Sequence, residues 1–334
     1  MKRILYSSPF VPIEWISAHG LRPWRVIPDR HTRAALRLPF TGVCTFARRA
    51  INSMADATDA APVVLATTCD QMRRAGEMLR QRTERPVFFL NVPATWQSQA
   101  AHEWYLSEVL RLGAFLEQVG GSAPATPMLA QVLREYDAAR TRLRAMCESH
   151  PAQVCAEEIV KFHQADQAEI AAYARQESPA TPVAAGVRVA LVGGPLSHAQ
   201  QRLFGMIAAR DGAVALDATE TGERGLPAPF DAARIEQDPL GELQRAYFDG
   251  IPDVFRRPNS LLYDWLTQRC NQRGIRGVIL VRHVWCDLWH AEAQRLRDRL
   301  HLPFLDLDLN DENGEIDGRA QTRIQSFLET LQHQ

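Results

Sequence analysis

Residues 277–309, GVILVRHVWCDLWHAEAQRLRDRLHLPFLDLDL, contain the pattern that decides the fold. An apolar run typical of a buried strand ends just before Cys286, an Arg-rich amphipathic stretch follows, and a second apolar run begins after Pro303. Residues 62–93, PVVLATTCDQMRRAGEMLRQRTERPVFFLNVP, have the same order, and in both copies the proline lies 17 positions after the cysteine. The chain therefore contains one strand–helix–strand unit twice, with a cysteine at the strand-to-helix junction of each copy.

Strand and helix patterns alternate in both halves of the sequence. In the first half, strands are predicted at 3–7, 24–27, 62–67 and 86–91, with helices between them. Alternating elements are typical of parallel sheets, so we expect an α/β protein with two tandem doubly wound domains. The predicted domains are 1–177, which includes a helical extension from about 101, and 187–334, with the small, Pro-bearing stretch 178–186 as their linker.

The composition is that of a globular protein, with 46% hydrophobic and 23% charged residues and a formal net charge of −1 over 334 residues. This near-neutral balance gives no electrostatic basis for binding nucleic acid or an anionic membrane. No apolar stretch approaches the roughly 18–20 residues that span a bilayer, and the N-terminus lacks the apolar core of a signal peptide, so we expect a cytoplasmic protein. Neither of the two lysines, Lys2 and Lys161, follows a glycine-rich turn, so a P-loop is not expected.

The six cysteines fall into two groups by position. In a reducing compartment disulfides are not expected, which leaves metal ligation, catalysis or burial. Cys69 and Cys286 lie at strand-to-helix junctions and Cys44 lies at an apparent helix start, where free backbone N–H groups favour a thiolate. The other three lie inside helical stretches without a partner motif, and burial is their simplest interpretation: Cys147, Cys155 and Cys270.

Three thiolates that converge from separate loops suit an iron–sulfur cluster or a zinc ion. None of the three lies in a C-x-x-C pair, which argues against a structural zinc finger, but His283 and His290 lie close enough in sequence to Cys286 to complete a Cys3His zinc site. Three cysteines on a four-iron cluster would leave one iron open, which is a catalytic feature, whereas a closed cluster suits electron relay. A redox-active cysteine pair is a further alternative.

The order and spacing of six motifs resemble the 2-hydroxyacyl-CoA dehydratase and benzoyl-CoA reductase superfamily, specifically its cluster-bearing subunits. The motifs span nearly the whole chain: VPIEWISAHGLRPWRV, TGVCTFARRA, ATTCDQMRR, RVALVGGP, VILVRHVWCDLWHAE and GRAQTRIQSFLE. The resemblance implies two flavodoxin-like domains with a 4Fe–4S cluster between them, ligated by Cys44, Cys69 and Cys286. It also implies a homologous partner subunit, in a hetero- or homodimer, and a separate ATP-hydrolysing iron–sulfur activator that delivers low-potential electrons.

The reaction that this resemblance implies is the radical elimination of water from a 2-hydroxyacyl-CoA. One electron added to the thioester carbonyl gives a ketyl radical anion that can expel the neighbouring hydroxyl, and an iron with an open position can bind the carbonyl oxygen as a Lewis acid. The alternatives within the superfamily are an ATP-dependent reductase of the benzoyl-CoA type and a reductase with a double-cubane (8Fe) cluster. An alternative of another class is a non-catalytic electron-relay or metal-stabilised scaffold subunit.

Five other polar residues are weaker candidates for the site. Glu14 matches a family position and also fits a carboxylate at a helix N-terminus. Ser197 and His198 follow a predicted strand end and could face the cluster, with helix capping as the alternative for the serine. Asp70 and Asp287, each next to a junction cysteine, are predicted to cap the following helix.

Overall fold

The structure, a computed structural model, describes residues 1–28, 42–176, 186–309 and 316–333. Two four-stranded sheets are formed, and every pair of neighbouring strands in them is parallel. The strands of the N-terminal sheet are β1 (Arg3–Tyr6), β2 (Arg22–Arg25), β3 (Val63–Ala66) and β4 (Val87–Leu90). Those of the C-terminal sheet are β5 (Val187–Gly193), β6 (Gly212–Thr219), β7 (Gly277–His283) and β8 (Phe304–Leu309). The predicted linker 178–186 lies outside the described residues apart from Gly186.

The helices follow the strands along the chain. Those of the N-terminal half are α1 (Ile13–Ala18), α2 (Thr45–Asp56) and α3 (Asp70–Arg82). The helical segment between the sheets contains α4 (Gln99–Gln118), α5 (Thr126–Ser149), α6 (Ala152–Phe162) and α7 (Gln167–Ala174). The C-terminal half contains α8 (Arg202–Ala208), a short 3-10 helix (Glu223–Gly225), α9 (Ala232–Gln237), α10 (Pro239–Phe248), α11 (Ser260–Gln272), α12 (Asp287–Leu300) and α13 (Gly318–Gln332).

The two sheets share one strand order. It is β2-β1-β3-β4 in the N-terminal sheet and β6-β5-β7-β8 in the C-terminal sheet, so each half reads 2-1-3-4 when its own strands are numbered. This is the flavodoxin-like doubly wound order, in which the chain direction across the sheet reverses between the first and third strands. The fold prediction is confirmed, and in such sheets ligands bind outside the carboxyl ends of the strands at the reversal.

Both faces of each sheet are covered. In the N-terminal sheet, Leu5, Val63 and Leu65 pack into one hydrophobic cluster, while Ile4 and Val64 pack into another on the opposite face. The C-terminal sheet divides its alternate residues between two clusters in the same way. Because both faces are buried, the strands are nearly continuous apolar runs, and this is why they were recognisable in the sequence.

Two elements differ from their predicted bounds. The strand β2 covers Arg22–Arg25 and not 24–27, because Arg3 at the start of β1 pairs with Arg22. This includes Pro23, which is tolerated because β2 is an edge strand. The pattern of residues 197–212, SHAQQRLFGMIAARDG, predicts a helix after β5, but α8 has only seven residues, since Ser197 and Gln200 form side-chain to backbone hydrogen bonds in the preceding turns.

One hydrophobic cluster joins the two halves of the chain. It contains Leu133 and Tyr136 of α5 together with Tyr247 and Phe248 of α10, and the Phe248 ring stacks on Tyr105 of α4 with 4.8 Å between the ring centroids. The division into domains at 177 and 187 stays a prediction. Among the described helices, none combines the length and the apolar character that crossing a bilayer requires.

Candidate metal centre

The carboxyl ends of the central strands of both sheets open into one cavity, which we call the thiol pocket. Its empty volume is about 640 Å³, including space open to solvent. Its lining includes residues that follow four central strands: Ser7 and Ser8 after β1, Thr68 and Cys69 after β3, Pro195 after β5 and Cys286 after β7. The ligand-binding edges of the two doubly wound sheets therefore meet at this pocket.

Three cysteines come together in the thiol pocket, and each is the residue immediately before a helix. Cys44 precedes α2, Cys69 precedes α3 and Cys286 precedes α12. All three are free thiols, and Cys44 is buried while the other two are partly exposed. The arrangement directs the N-terminal N–H groups of three helices towards three sulfur atoms.

Hydrogen bonds hold Cys44 in place and connect the two sheets beside it. The Cys44 sulfur accepts a hydrogen bond from the Ala47 N–H at 3.4 Å, and the Cys44 N–H donates to Oε1 of Gln71 in α3 at 3.1 Å. The Thr45 hydroxyl lies 3.4 Å from Nδ1 of His283, the last residue of β7. The start of α2 thus contacts both the helix that follows Cys69 and the strand that leads to Cys286.

Burial disfavours the ionised form of all three thiols. It raises the pKa of Cys44 and of Cys286 to about 12, and it also raises the pKa of Cys69. Backbone N–H groups oppose this effect, from Ala47 at Cys44 and from Trp289 at Cys286. The thiols are therefore protonated at neutral pH in the metal-free protein, and a metal that binds there must displace their protons.

The thiol pocket offers three sulfur donors. Within the described ranges, no group of three or more His, Cys, Asp or Glu side chains is placed to hold a metal ion. In an iron–sulfur cubane each thiolate binds a different iron, so the sulfur atoms stand farther apart than the ligands of one zinc ion. The predicted histidine ligands are also poorly placed, since Nε2 of His283 lies 2.8 Å from the Pro195 carbonyl oxygen and His290 is exposed. Three soft thiols in a buried pocket fit an iron–sulfur cluster.

Two carboxylates that the sequence analysis did not single out also line the thiol pocket, Glu220 and Asp253. Burial raises the pKa of Glu220 to about 7, and the Asp253 charge adds to the effect. An Arg25 nitrogen lies 3.6 Å from the Glu220 carboxylate, and Asp253 accepts a hydrogen bond of 2.5 Å from Arg224. Glu220 directly follows β6, so the rule that located the cysteines, a reactive residue just after an apolar strand, would also have located this carboxylate.

A second cavity, the outer cleft, adjoins the thiol pocket and shares Cys69 and Cys286 with it. Its empty volume is about 860 Å³, including open solvent, and its lining includes Gln71, Arg257 and Trp285. Trp285 is 58% exposed and has a φ of +73°, in the left-handed region that bulky residues rarely adopt. Such backbone strain directly before Cys286 is typical of functional sites.

The three weaker catalytic candidates lie away from both cavities. Glu14 is fully buried, pairs with Arg140 and accepts a hydrogen bond of 2.6 Å from the Tyr247 hydroxyl. Ser197 is buried and its hydroxyl accepts a hydrogen bond from the Gln200 N–H, whereas His198 is exposed. None of the three side chains lines the thiol pocket or the outer cleft.

The prediction that two aspartates cap helices is wrong by one position. Cys69 and Cys286 occupy the N-cap positions, and Asp70 and Asp287 are the first residues of α3 and α12. Both aspartates are exposed and line the outer cleft. There they interact favourably with the positive end of the helix dipole.

The remaining cysteines are buried in helices outside the thiol pocket. Cys147 in α5 interacts with Cys155 in α6, and this neighbour, together with burial, raises the pKa of Cys147 far above its ordinary value. Cys270 packs in the hydrophobic cluster around α11, where burial raises its pKa to about 11. These positions agree with the interpretation of the three as core residues.

Two doubly wound sheets whose ligand-binding edges meet at three thiols define an α/β protein that can hold a metal cofactor between its halves. The sequence matches the family described as HGD-D, the 2-hydroxyglutaryl-CoA dehydratase D-component, over residues 9–331. Because this match covers nearly the whole chain, the protein belongs to that family. Membership implies a component of a multi-subunit, 2-hydroxyacyl-CoA dehydratase-like enzyme that works with an activator, and the family typically carries an iron–sulfur cluster. No curated protein matches the sequence.

Proposed function

We propose that the protein is the cluster-binding subunit of an enzyme that eliminates water from a 2-hydroxyacyl-CoA after activation by one electron. In this proposal Cys44, Cys69 and Cys286 ligate a 4Fe–4S cluster in the thiol pocket. The observation that carries it is the convergence of three N-cap cysteines where the ligand-binding edges of the two sheets meet. Family membership supports the same conclusion from the sequence side.

The residues around the pocket are suited to hold three thiolates. The Ala47 N–H that donates to the Cys44 sulfur stabilises negative charge there, and the helix dipoles of α2, α3 and α12 act in the same direction at all three sulfurs. Met72, Leu288 and Trp289 contribute apolar surface to the pocket and limit the access of water. When bound, the cluster would supply a single low-potential electron and one iron without a protein thiolate.

The outer cleft is the proposed path for the thioester end of the acyl-CoA. The part of the cleft that water-sized molecules can occupy, about 360 Å³, lies within the ~300–1,000 Å³ of typical small-molecule sites, and the cleft leads to Cys69 and Cys286. Trp285 and Leu288 offer apolar surface to the acyl chain, while Thr68 offers a hydroxyl. We further propose that a homologous subunit and an ATP-hydrolysing activator complete the enzyme, as the family implies.

The alternatives differ in what they require of this pocket. A reductase of the benzoyl-CoA type would use the same three ligands, so only the substrate distinguishes it from a dehydratase. A double-cubane cluster needs further thiols, and the other three cysteines do not line the thiol pocket. A scaffold subunit would keep the fold without low-potential redox chemistry.

The test is anaerobic iron and sulfide analysis with EPR spectroscopy on the wild type and on Cys44→Ala, Cys69→Ala and Cys286→Ala. We expect about four irons per chain in the wild type, the content of one cubane, with loss or degradation of the cluster in each variant. Cys270→Ala is the matched control, because it also removes a buried thiol but lies outside the pocket, and it should keep its iron. Zinc, or no metal after reconstitution, would reject the proposal.

The loaded protein, with its partner subunit and activator, is then assayed on 2-hydroxyacyl-CoA and on aromatic acyl-CoA thioesters. Formation of an enoyl-CoA supports the dehydratase, and reduction of the aromatic ring supports the reductase. About eight irons per chain would point to the double cubane instead. A stable cluster that turns over neither substrate would leave the electron-relay subunit as the better description.

A further inference from the structure

Among the described residues, three titratable side chains besides the cysteines line the thiol pocket: Glu220, Asp253 and His283. Both ring nitrogens of the histidine already have partners in the protein. Its Nε2 atom lies 2.8 Å from the Pro195 carbonyl oxygen, its Nδ1 atom lies 3.4 Å from the Thr45 hydroxyl, and the side chain is buried. A metal could bind His283 only if one of these contacts broke.

Both carboxylate oxygens of Asp253 also have partners in the protein. One carboxylate oxygen accepts a hydrogen bond of 2.5 Å from Nη1 of the fully buried Arg224, and the other accepts one of 3.2 Å from the Phe255 N–H. The same guanidinium also donates to the carbonyl oxygens of Gly193 and Pro252. Arg224 thus holds Asp253 in place, and breaking their contact would leave a buried charge without a partner.

Glu220 differs from both. Within the described residues, no hydrogen bond reaches its carboxylate, and its one ion pair is with Arg25 at 3.6 Å. This is longer than the ~2.7–2.9 Å of a charge-assisted hydrogen bond, because the same guanidinium donates to the carbonyl oxygens of Ser7 and of Glu220 itself. The side chain is 22% exposed and lines the pocket. Arg25 therefore fixes the backbone of Glu220 through its carbonyl oxygen, while the carboxylate accepts no hydrogen bond from the described residues.

The Glu220 side chain lines the thiol pocket together with all three cysteines. Burial is the main reason that the pKa of both Cys69 and Cys286 is raised, and the negative charge of Glu220 adds to the effect at each thiol. A poorly paired, largely buried carboxylate is costly unless a cation completes its surroundings. Carboxylate oxygens are common ligands of iron.

We propose that Glu220 is the displaceable fourth protein ligand, whose carboxylate binds the iron that no cysteine holds until the substrate replaces it. This inference rests on the proposed function, since it needs the cluster in the thiol pocket. The exchange moves no electrons: one oxygen ligand, the carboxylate, leaves the iron and another, the substrate carbonyl, binds. Glu220 would then protect the open position from water and small anions while the substrate is absent.

The test uses the full chain loaded with cluster under anaerobic conditions, as wild type, Glu220→Gln and Glu220→Ala. Iron content, the EPR spectrum of the reduced cluster and a titration with cyanide, which binds an iron lacking a tight ligand, are measured on each. Glu77→Gln is the matched control, because it removes a carboxylate of α3 that pairs with Arg80 at the surface and lines neither cavity. Thermal unfolding of each variant shows that it is folded.

Both Glu220 variants should keep about four irons per chain, since three thiolates still hold the cluster. Their EPR spectra should change, and cyanide should bind at concentrations about tenfold lower, the scale on which lost partners alter metal-site affinities. Glu77→Gln should match the wild type in both measurements. EPR spectra and cyanide titrations of Glu220→Ala that equal the wild type would overturn the ligand assignment while the cluster proposal stands. A wild type without iron would reject the cluster proposal itself.

Discussion

The buried ion pair of Glu14 and Arg140 allows a sharp test of whether Glu14 is structural or catalytic. Both side chains are completely buried, and the carboxylate also accepts a hydrogen bond from the Tyr247 hydroxyl. The Arg140 guanidinium lies over the rings of Phe162 and Phe230, at 5.6 and 5.2 Å from their centroids. The change Glu14→Gln removes the negative charge, keeps the size of the side chain and leaves the arginine charge buried without its counter-ion.

The expected cost can be worked out from these contacts. Breaking a buried ion pair by neutralising one partner costs about 3–5 kcal/mol. The glutamine keeps an acceptor for Tyr247 and the two rings still stabilise the cation, so the lower end, about 3 kcal/mol, is expected for Glu14→Gln. Glu14→Ala also removes the partner of the buried Tyr247 hydroxyl, which adds about 1–3 kcal/mol.

The assay is urea denaturation of the wild type, both Glu14 variants and the control Glu77→Gln, combined with EPR of the loaded proteins. Glu77 pairs with Arg80 at the surface of α3, so its loss should cost less than about 1 kcal/mol. The cluster signal should be unchanged in Glu14→Gln, because Glu14 does not line the thiol pocket. Normal stability together with lost turnover or an altered EPR spectrum would refute this reasoning and return Glu14 to the active site.

Two further predictions concern the end of β5, which leads to the thiol pocket, and the charge of a carboxylate in the pocket. Gly193 has a φ of +148°, and a Cβ there would lie 1.9 Å from the Val281 carbonyl oxygen. Gly193→Ala should therefore lower the unfolding free energy by several kcal/mol and impair cluster retention. Urea denaturation and iron content measure the two effects. The helical Gly205 has open space around its Cβ position, and Gly205→Ala should instead stabilise by about 0.5–1 kcal/mol; equal effects at the two glycines would contradict the strand geometry. In the metal-free protein the pKa of Glu220, about 7, lies above its unfolded value, so its contribution to stability is full below about pH 4.5 and is lost as the pH rises through 7. The drop in unfolding free energy between pH 5 and pH 7.5, measured by urea denaturation, should therefore be about 2 kcal/mol larger in the wild type than in Glu220→Gln, which keeps the similarly raised pKa of Glu223. Parallel pH profiles of the two proteins would disprove an elevated pKa of Glu220.

The repeated unit explains why much of the fold was predictable. Parallel strands buried on both faces are continuous apolar runs, and amphipathic helices follow them at short intervals, so the local pattern determined the element order. A residue that directly follows such a strand must lie at the carboxyl edge of its sheet. Cys69 and Cys286 could therefore be placed at this edge from the sequence alone. Glu220 directly follows β6, so the same rule places its side chain there as well.

The tertiary structure alone decided which of these edges meet and which polar groups become partners. Glu14 pairs with Arg140 and Tyr247, which lie 126 and 233 positions away in the sequence. Arg25 of the first sheet donates a hydrogen bond to the carbonyl oxygen of Glu220, which follows a strand of the second sheet. A sequence pattern reports only whether a side chain is buried in its own helix or strand. The neighbours that neutralise a buried charge, or leave it free for a ligand, depend on how the two sheets pack, because electrostatic partners act through space at distances of a few ångströms.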